Sequence, residues 1–189
     1  MHTDARDKLV GELGEEGLLL VREAADMIVY YRKLLERFEL DALTGLPGQS
    51  KFREFTTDIE QRTQSVGVIF FDVNNLKEVN DEKGHHAGDL LLQKAAESIL
   101  PLIHERAHAF RVGGDEFAVL LPGCCENDIE NFLARWREKL AALNTKNDGL
   151  PCSVAVGAAF ASAPYRFSEV LTLADERMYT QKRAMKSGG

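Results

Sequence analysis

The chain of 189 residues has only three cysteines, and Cys124, Cys125 and Cys152 form neither a CxxC pair nor a Cys/His cluster at metal-binding spacing. An odd count with two neighbours excludes a disulfide framework or a zinc finger and fits reduced, structural thiols in a cytoplasm. No apolar run approaches the roughly 18 residues that span a bilayer, and no signal peptide is read at the start. The expectation is a soluble, cytoplasmic chain with no membrane segment of its own. A dense Lys/Arg block is also missing, and the formal net charge is -7, which argues against a nucleic-acid-binding surface. That balance leaves a nucleotide substrate open, because carboxylates bind phosphates through a divalent cation. There is no internal repeat and no low-complexity segment. What is present, 44% apolar and 28% charged residues, fits one globular domain plus an appendage.

The most informative segment is Arg111-Val112-Gly113-Gly114-Asp115-Glu116-Phe117. It lies between Ala109-Phe110 and Ala118-Val119-Leu120-Leu121, whose alternating and β-branched character predicts strands. A Gly-Gly pair between two such runs predicts a hairpin turn, with the glycines supplying positive φ angles. The turn presents two adjacent carboxylates, Asp115 and Glu116, at an exposed tip. A solvated acidic turn is the plain reading; a second acidic position makes the difference. Ser65–Val73 is a nearly continuous apolar run, as expected for a strand buried on both faces, and Asp72 stands near its end. A buried carboxylate is costly unless paired or bound to a cation. Asp72 would cap the following helix, or it would converge with Asp115 on a divalent cation that bridges nucleotide phosphates.

Elsewhere the pattern predicts helices over about 18–40, 50–62, 74–80, 89–103, 126–143 and 167–186, a loop over Gly84–Gly88, and a strand over Ser153–Phe160. In the first helix Val21, Ile28 and Leu35 recur every seven residues, with Ala24, Tyr31 and Phe38 between them. That heptad pattern suits a dimerising or signal-carrying helix, with packing on its own domain as the alternative. Leu90, Leu91, Ala95, Ile99 and Leu102 are expected to face inward from the 89–103 helix. The domains are set at 1–40, an N-terminal tail and signalling or dimerisation helix, and 41–189, the main domain. The fold class is α+β, a mainly antiparallel central sheet flanked by helices.

These segments resemble the GGDEF family, the diguanylate cyclases. Gly113-Gly-Asp-Glu-Phe117 is the family signature, and Asp41-Ala-Leu-Thr-Gly-Leu-Pro47 matches its Asp-x-Leu-Thr-Gly-Leu-Pro opening. The stretch from Asp72 to Asp89 matches its Asp-x-Asp-x-Phe-Lys-x-x-Asn-Asp-x-x-Gly-His-x-x-Gly-Asp motif. Ala174-Asp-Glu-Arg-Met-Tyr-Thr-Gln-Lys182 matches its closing motif. The resemblance covers roughly residues 41 to 186. It implies the palm-like nucleotidyl-cyclase fold and condensation of two GTP into cyclic di-GMP with release of pyrophosphate. Mg²⁺ or Mn²⁺ would be held by Asp72, the Val73 carbonyl and Asp115, with Asp115 also assisting deprotonation. Lys77 would neutralise developing phosphate charge, and Glu116 would play a supporting catalytic part. Asn80 and Asp89 would read the guanine edge, His85 would contact substrate, and Lys182 and Lys186 would hold the phosphates. Each domain would bind one GTP, so a homodimer is implied, with an upstream sensor or partner protein as a further partner.

Three departures from the family pattern stand out. Asn74 replaces the second Asp of the Asp-x-Asp motif, and Leu76 replaces a common Phe. The product-binding Arg-x-x-Asp motif reads His104-Glu-Arg-Ala107, so inhibition through that site is not expected, and Arg106 and Arg111 are weak substitutes. An active cyclase is the leading reading. The alternatives are a catalytically silent domain that binds GTP or a protein, and a cyclase with altered base choice, which Asn80 and Asp89 oppose.

Overall fold

A computed structural model describes residues 14, 17–31, 40–145 and 150–187. The chain divides into two compact units, Met1–Glu39 and Leu40–Gly189. In the first, residues 17–31 form a helix, α1, and Leu20, Val21, Ile28 and Tyr31 on it are exposed. The heptad positions Leu35 and Phe38, and most of the expected tail, lie outside the described residues. Among the described residues no helix is long and apolar enough to cross a membrane.

The second unit is built on a four-stranded antiparallel sheet. Its strands are β1 (Ser65–Val73), β2 (His108–Arg111), β3 (Glu116–Pro122) and β4 (Val154–Ser162), in the order β2-β3-β1-β4. The helices are α2 (Gln49–Thr56), α3 (Ile59–Arg62), α4 (Leu76–Lys83), α5 (His85–Ile99), α6 (Glu126–Asn144) and α7 (Phe167–Ser187), with a 3-10 turn at Leu100–Leu102. Side chains alternate across a strand, so β1 feeds two cores. Ile69, Phe71 and Val73 pack with Leu91, Ala95, Phe132 and Trp136 of α5 and α6. Val66 and Val68 pack with Ile59, Phe167, Val170 and Ala174 of α3 and α7. The mainly antiparallel α+β sandwich is therefore the observed architecture. The buried indole of Trp136 also donates from Nε1 to Ser98 Oγ at 3.0 Å, which satisfies its one polar atom.

Several boundaries differ from expectation for local reasons. The helix expected over 50–62 breaks into α2 and α3 because Asp58 takes a left-handed φ of 56°, a conformation Asp tolerates better than most residues. Asn74 does not begin α4; its N–H bonds Ser153 O at 2.8 Å as an extension of the sheet, and Asn75 at φ 60° turns the chain before Leu76. Residues 85–88 are helical, not loop, because Gly84 alone, at φ 84°, ends α4 and starts α5. Pro101 falls in the 3-10 turn, and α5 ends at Ile99, since proline has no N–H for the helix ladder. Leu90 is exposed, whereas Leu92 joins the core. The expected hairpin forms, yet neither Gly113 nor Gly114 has a positive φ.

Helix α7 is seated on the edge strand β4 at one point of close approach. A Cβ on Gly157 would lie 2.1 Å from Met178 N and 2.2 Å from Ala174 O, both backbone atoms of α7. Arg177 Nη1 donates to Ala158 O at 2.7 Å, and the Val156 N–H donates to Gln181 Oε1. These contacts occupy groups that an edge strand otherwise leaves open. Gly157→Ala is expected to cost about 3 kcal/mol or more, because the clash is with backbone that no side-chain rotation relieves. Chemical denaturation against the parent chain measures this cost.

Candidate functional site

The register of β1 against β3 sets the site. Asp72 lies directly opposite Glu116, so both side chains share the face that α7 covers. Val73 N–H donates to Asp115 O at 2.9 Å, which brings the backbone of the turn against the end of β1. Asp72 is buried to 4% exposure, and Asp115 is more open in the turn. From α7, Lys182 Nζ donates to Asp72 Oδ2 at 2.6 Å and lies 4.0 Å from Asp115 Oδ2. Like charges opposite one another in a sheet repel, and the Lys182 ammonium is the cation that lies against them here.

Burial raises the Asp72 pKa, and the Asp115 charge adds to that rise; the Lys182 hydrogen bond and the charges of Lys182 and Lys186 oppose it without cancelling it. The Lys182 pKa is raised as well, which for a lysine favours the charged form. Burial lowers its pKa, but the bond to Asp72 and the charges of Asp72, Asp115 and Glu116 outweigh this and raise it. The pair therefore favours the ammonium but only partly offsets the desolvation of the deeper carboxylate, which governs the energetics. Glu116 is also raised, first by burial and then by Asp115, Asp72 and Asp175. Its carboxylate lines a cavity of about 270 Å³ with Gln49, Arg53 and Asp175.

Asp72 Oδ1 is buried with no hydrogen-bond partner. An orphaned carboxylate oxygen beside a second carboxylate fits a hard divalent cation, which takes oxygen ligands. Among the described residues no group of three or more His, Cys, Asp or Glu side chains is arranged to hold a metal. The chain thus offers Asp72 and Asp115, and the remaining ligands would come from backbone, water or phosphate oxygens.

The other expected residues fall into a second group. Lys77 and Asn80 lie on α4, and His85 and Asp89 on α5. Lys77, His85 and Asp89 are exposed and Asn80 is half-buried. The helices meet where a Cβ on Gly88 would sit 2.0 Å from Asn80 Oδ1, so this glycine lets Asn80 lie beside the turn that carries Asp89. None of the four has a described side-chain hydrogen bond or ion pair to Asp72, Asp115 or Lys182. Lys186 is exposed one turn beyond Lys182 and acts on Asp72 through its charge.

Sequence reasoning missed what holds the turn in place. Arg111 Nη1 donates to Asp41 Oδ1 and Oδ2 at 2.9 and 3.0 Å, and its Nη2 donates to Gly114 O at 2.6 Å. Asp41 also accepts from Thr44 N–H at 2.9 Å and Thr44 Oγ1 at 2.6 Å. Burial would raise the Asp41 pKa, but the hydrogen bonds from Thr44 and Arg111 prevail and lower it. This contribution persists at neutral pH and is lost in acid as the pH falls through the lowered pKa. The Asp-x-x-Thr spacing was the available signal for the turn; nothing in the sequence pairs Asp41 with Arg111. The Glu116 side chain lies over Gly113, where an added Cβ would meet Glu116 Oε2 at 2.5 Å and oblige that carboxylate to shift. On the opposite sheet face, His104 and Arg106 line a cavity of about 160 Å³ with Asp128 and Arg135.

Residues 38–188 match the family described as diguanylate cyclase, GGDEF domain. The chain belongs to the GGDEF-domain diguanylate cyclase family. Diguanylate cyclase DgcS of Shewanella oneidensis is 31% identical over 160 residues, which are 80% of this chain and 52% of DgcS. Diguanylate cyclase DosC of Escherichia coli K12 is 27% identical over 179 residues, 88% of this chain and 39% of DosC. This GGDEF chain therefore spans about half or less of these curated relatives. The solved structure of diguanylate cyclase SiaD, in complex with its activator SiaC from Pseudomonas aeruginosa, is similar with a TM-score of 0.79 and 26% identity. The likeness covers 96% of this chain and 72% of SiaD.

The raised Asp72 pKa carries a stability consequence. The folded state holds that proton more tightly than the unfolded state, so the ionised carboxylate costs stability at neutral pH, and the cost is relieved as pH falls through the raised pKa. In the absence of metal, Asp72→Asn is expected to raise the melting temperature by about 2–4 °C. Thermal unfolding at pH 7, repeated near pH 4 where the difference should shrink, checks both sign and cause.

Proposed function

We propose that the chain is an active diguanylate cyclase that joins two GTP molecules into cyclic di-GMP as a dimer. The observation that carries this reading is the convergence of Asp72 and Asp115 around one cationic point, with a buried carboxylate oxygen left without a partner. Asp72, the Val73 carbonyl and Asp115 would hold Mg²⁺ or Mn²⁺. When bound, the metal supplies Lewis-acid stabilisation of charge on the phosphoryl oxygens and lowers the pKa of the attacking hydroxyl.

The residues divide the remaining work. Asn80 and Asp89 take the guanine edge, where the Asp89 carboxylate accepts from base N–H groups; adenine would leave it unpaired. His85 contacts the substrate beside them. Lys182 and Lys186 take the terminal phosphates, and Lys77 balances charge that develops at the α-phosphoryl group. The 3′-oxygen of one GTP forms a bond to the α-phosphorus of the other, and the bond from that phosphorus to the bridging oxygen breaks. Pyrophosphate leaves with the electron pair, and Asp115 accepts the hydroxyl proton. Glu116, packed behind Gly113, holds the turn that carries Asp115. A second identical step closes the ring.

Two bonds between two nucleotides require two domains facing each other, each with one GTP. The exposed apolar heptad positions of α1 support a helix that pairs two copies, and SiaD, solved with its activator, supports a partner protein as a further controller. Purified chain incubated with GTP, ATP and Mg²⁺ is expected to yield cyclic di-GMP and pyrophosphate, identified by chromatography and mass. No guanine dinucleotide product would favour the silent GTP- or protein-binding regulator, and a mixed dinucleotide would refute the base assignment. Asp115→Ala is expected to lower turnover by at least about a hundredfold with an unchanged melting curve; near-normal turnover would remove Asp115 from the site.

Removal of residues 1–38 tests the dimer. Activity is expected to fall more at low than at high protein concentration. An equal loss at every concentration would assign those residues a packing role instead.

A further inference from the structure

The site already contains a cation of its own. Lys182 Nζ bridges the carboxylates of Asp72 and Asp115 at 2.6 and 4.0 Å, and the two side chains in the shorter contact are only 23% and 5% exposed. We propose that Lys182 is the resident counter-ion of the ligand-free site, which a nucleoside triphosphate must draw off before a divalent cation can occupy Asp72 and Asp115. Metal and nucleotide then bind as a positively coupled pair, and metal alone binds weakly. This rests on the metal–GTP reading of the site and adds the order in which the site assembles.

Charge and geometry carry the argument. Asp72, Asp115 and Glu116 bring three carboxylates to one end of the sheet, and Lys182 and Lys186 bring two ammonium groups. A divalent cation arriving alone meets an ammonium already hydrogen-bonded to the deeper carboxylate. To displace it, the metal must break a charge-assisted bond to the buried Asp72 carboxylate and bring a divalent charge beside the half-buried ammonium, which is costly. A triphosphate removes that cost because it offers Lys182 and Lys186 new anionic oxygens. The exchange needs only a side-chain rotation. The lysine stem has four rotatable carbons, while α7 itself is held on β4 by Gly157, Arg177 and Gln181. Asp72 Oδ1 has no hydrogen-bond partner in the ligand-free site, so one ligand oxygen is already open beside the Oδ2 that Lys182 occupies. Coupling of this kind is reciprocal: metal must strengthen nucleotide binding by the same factor.

Isothermal titration of Mn²⁺ into the full chain, with and without an α,β-methylene analogue of GTP, tests this. The analogue is expected to tighten Mn²⁺ binding by about tenfold or more in the parent chain. Lys182→Met is expected to tighten nucleotide-free Mn²⁺ binding by about tenfold and to weaken the analogue. Lys182→Arg, which keeps the charge, should behave as the parent does. Thermal melts confirm folding, and Lys182→Gln replaces the Met variant if that variant is unstable. Unchanged or weaker nucleotide-free Mn²⁺ binding in the neutral variants would overturn the proposal while leaving the metal–GTP reading intact. An Mn²⁺ affinity that Asp72→Asn leaves unchanged with and without the analogue would remove both, and the pair of variants tells the two failures apart.

Discussion

The pairing of Asp72 with Glu116 across β1 and β3 is the constraint on which the rest of this domain turns. Antiparallel register places two carboxylates side by side on one sheet face, where they repel unless a cation lies between or beside them. Arg111, the strand cation at this end of the sheet, is taken up by Asp41 and the Gly114 carbonyl. The cation beside Asp72 comes from α7, and α7 reaches the site only because β4 lets it approach to backbone contact at Gly157. The register of one strand pair, a missing side chain on another strand and a lysine on the last helix are thus parts of a single electrostatic arrangement.

The position of Asp115 depends on a second tie. Gly113 and Gly114 do not hold the turn by unusual backbone angles. Instead, Gly113 yields its Cβ space to the Glu116 carboxylate, and Arg111 grips the Gly114 carbonyl while bound to Asp41. Arg111 N–H also donates to Pro47 O at 2.8 Å. Residues 41–47 are therefore strapped to the turn at both the side chain and the backbone of Arg111.

The elements with strong periodicity were legible in the sequence. The apolar run of β1, the helical face of Ile129, Phe132 and Trp136 on α6, and the course of α7 all follow from residue spacing, because burial rewards that spacing directly. Asp72 and Asp115 were legible as a pair once β1 was set beside the hairpin. What could not be read were contacts between distant residues. Asp41 and Arg111 are 70 positions apart, and Gln181 meets the β4 backbone 25 positions away. Neither contact leaves a local pattern. The helix start at His85 was missed for a different reason. A glycine-rich stretch suggests a loop, but Gly84 alone makes the turn, and Gly88 serves close packing against Asn80 from inside the helix.

Burial of Asp72 is unfavourable taken alone, and that explains why it is useful. A carboxylate at the protein surface gains little from a cation, because water already solvates both. At 4% exposure Asp72 has lost most of its water, one oxygen lacks any hydrogen bond, and its raised pKa records the deficit. Any cation that reaches it recovers free energy that folding left unsatisfied. Lys182 recovers part of this through Oδ2 but leaves Oδ1 unpaired, so the ligand-free site is only half satisfied. The fold therefore leaves, at the end of β1, a carboxylate whose second oxygen the Lys182 hydrogen bond does not reach.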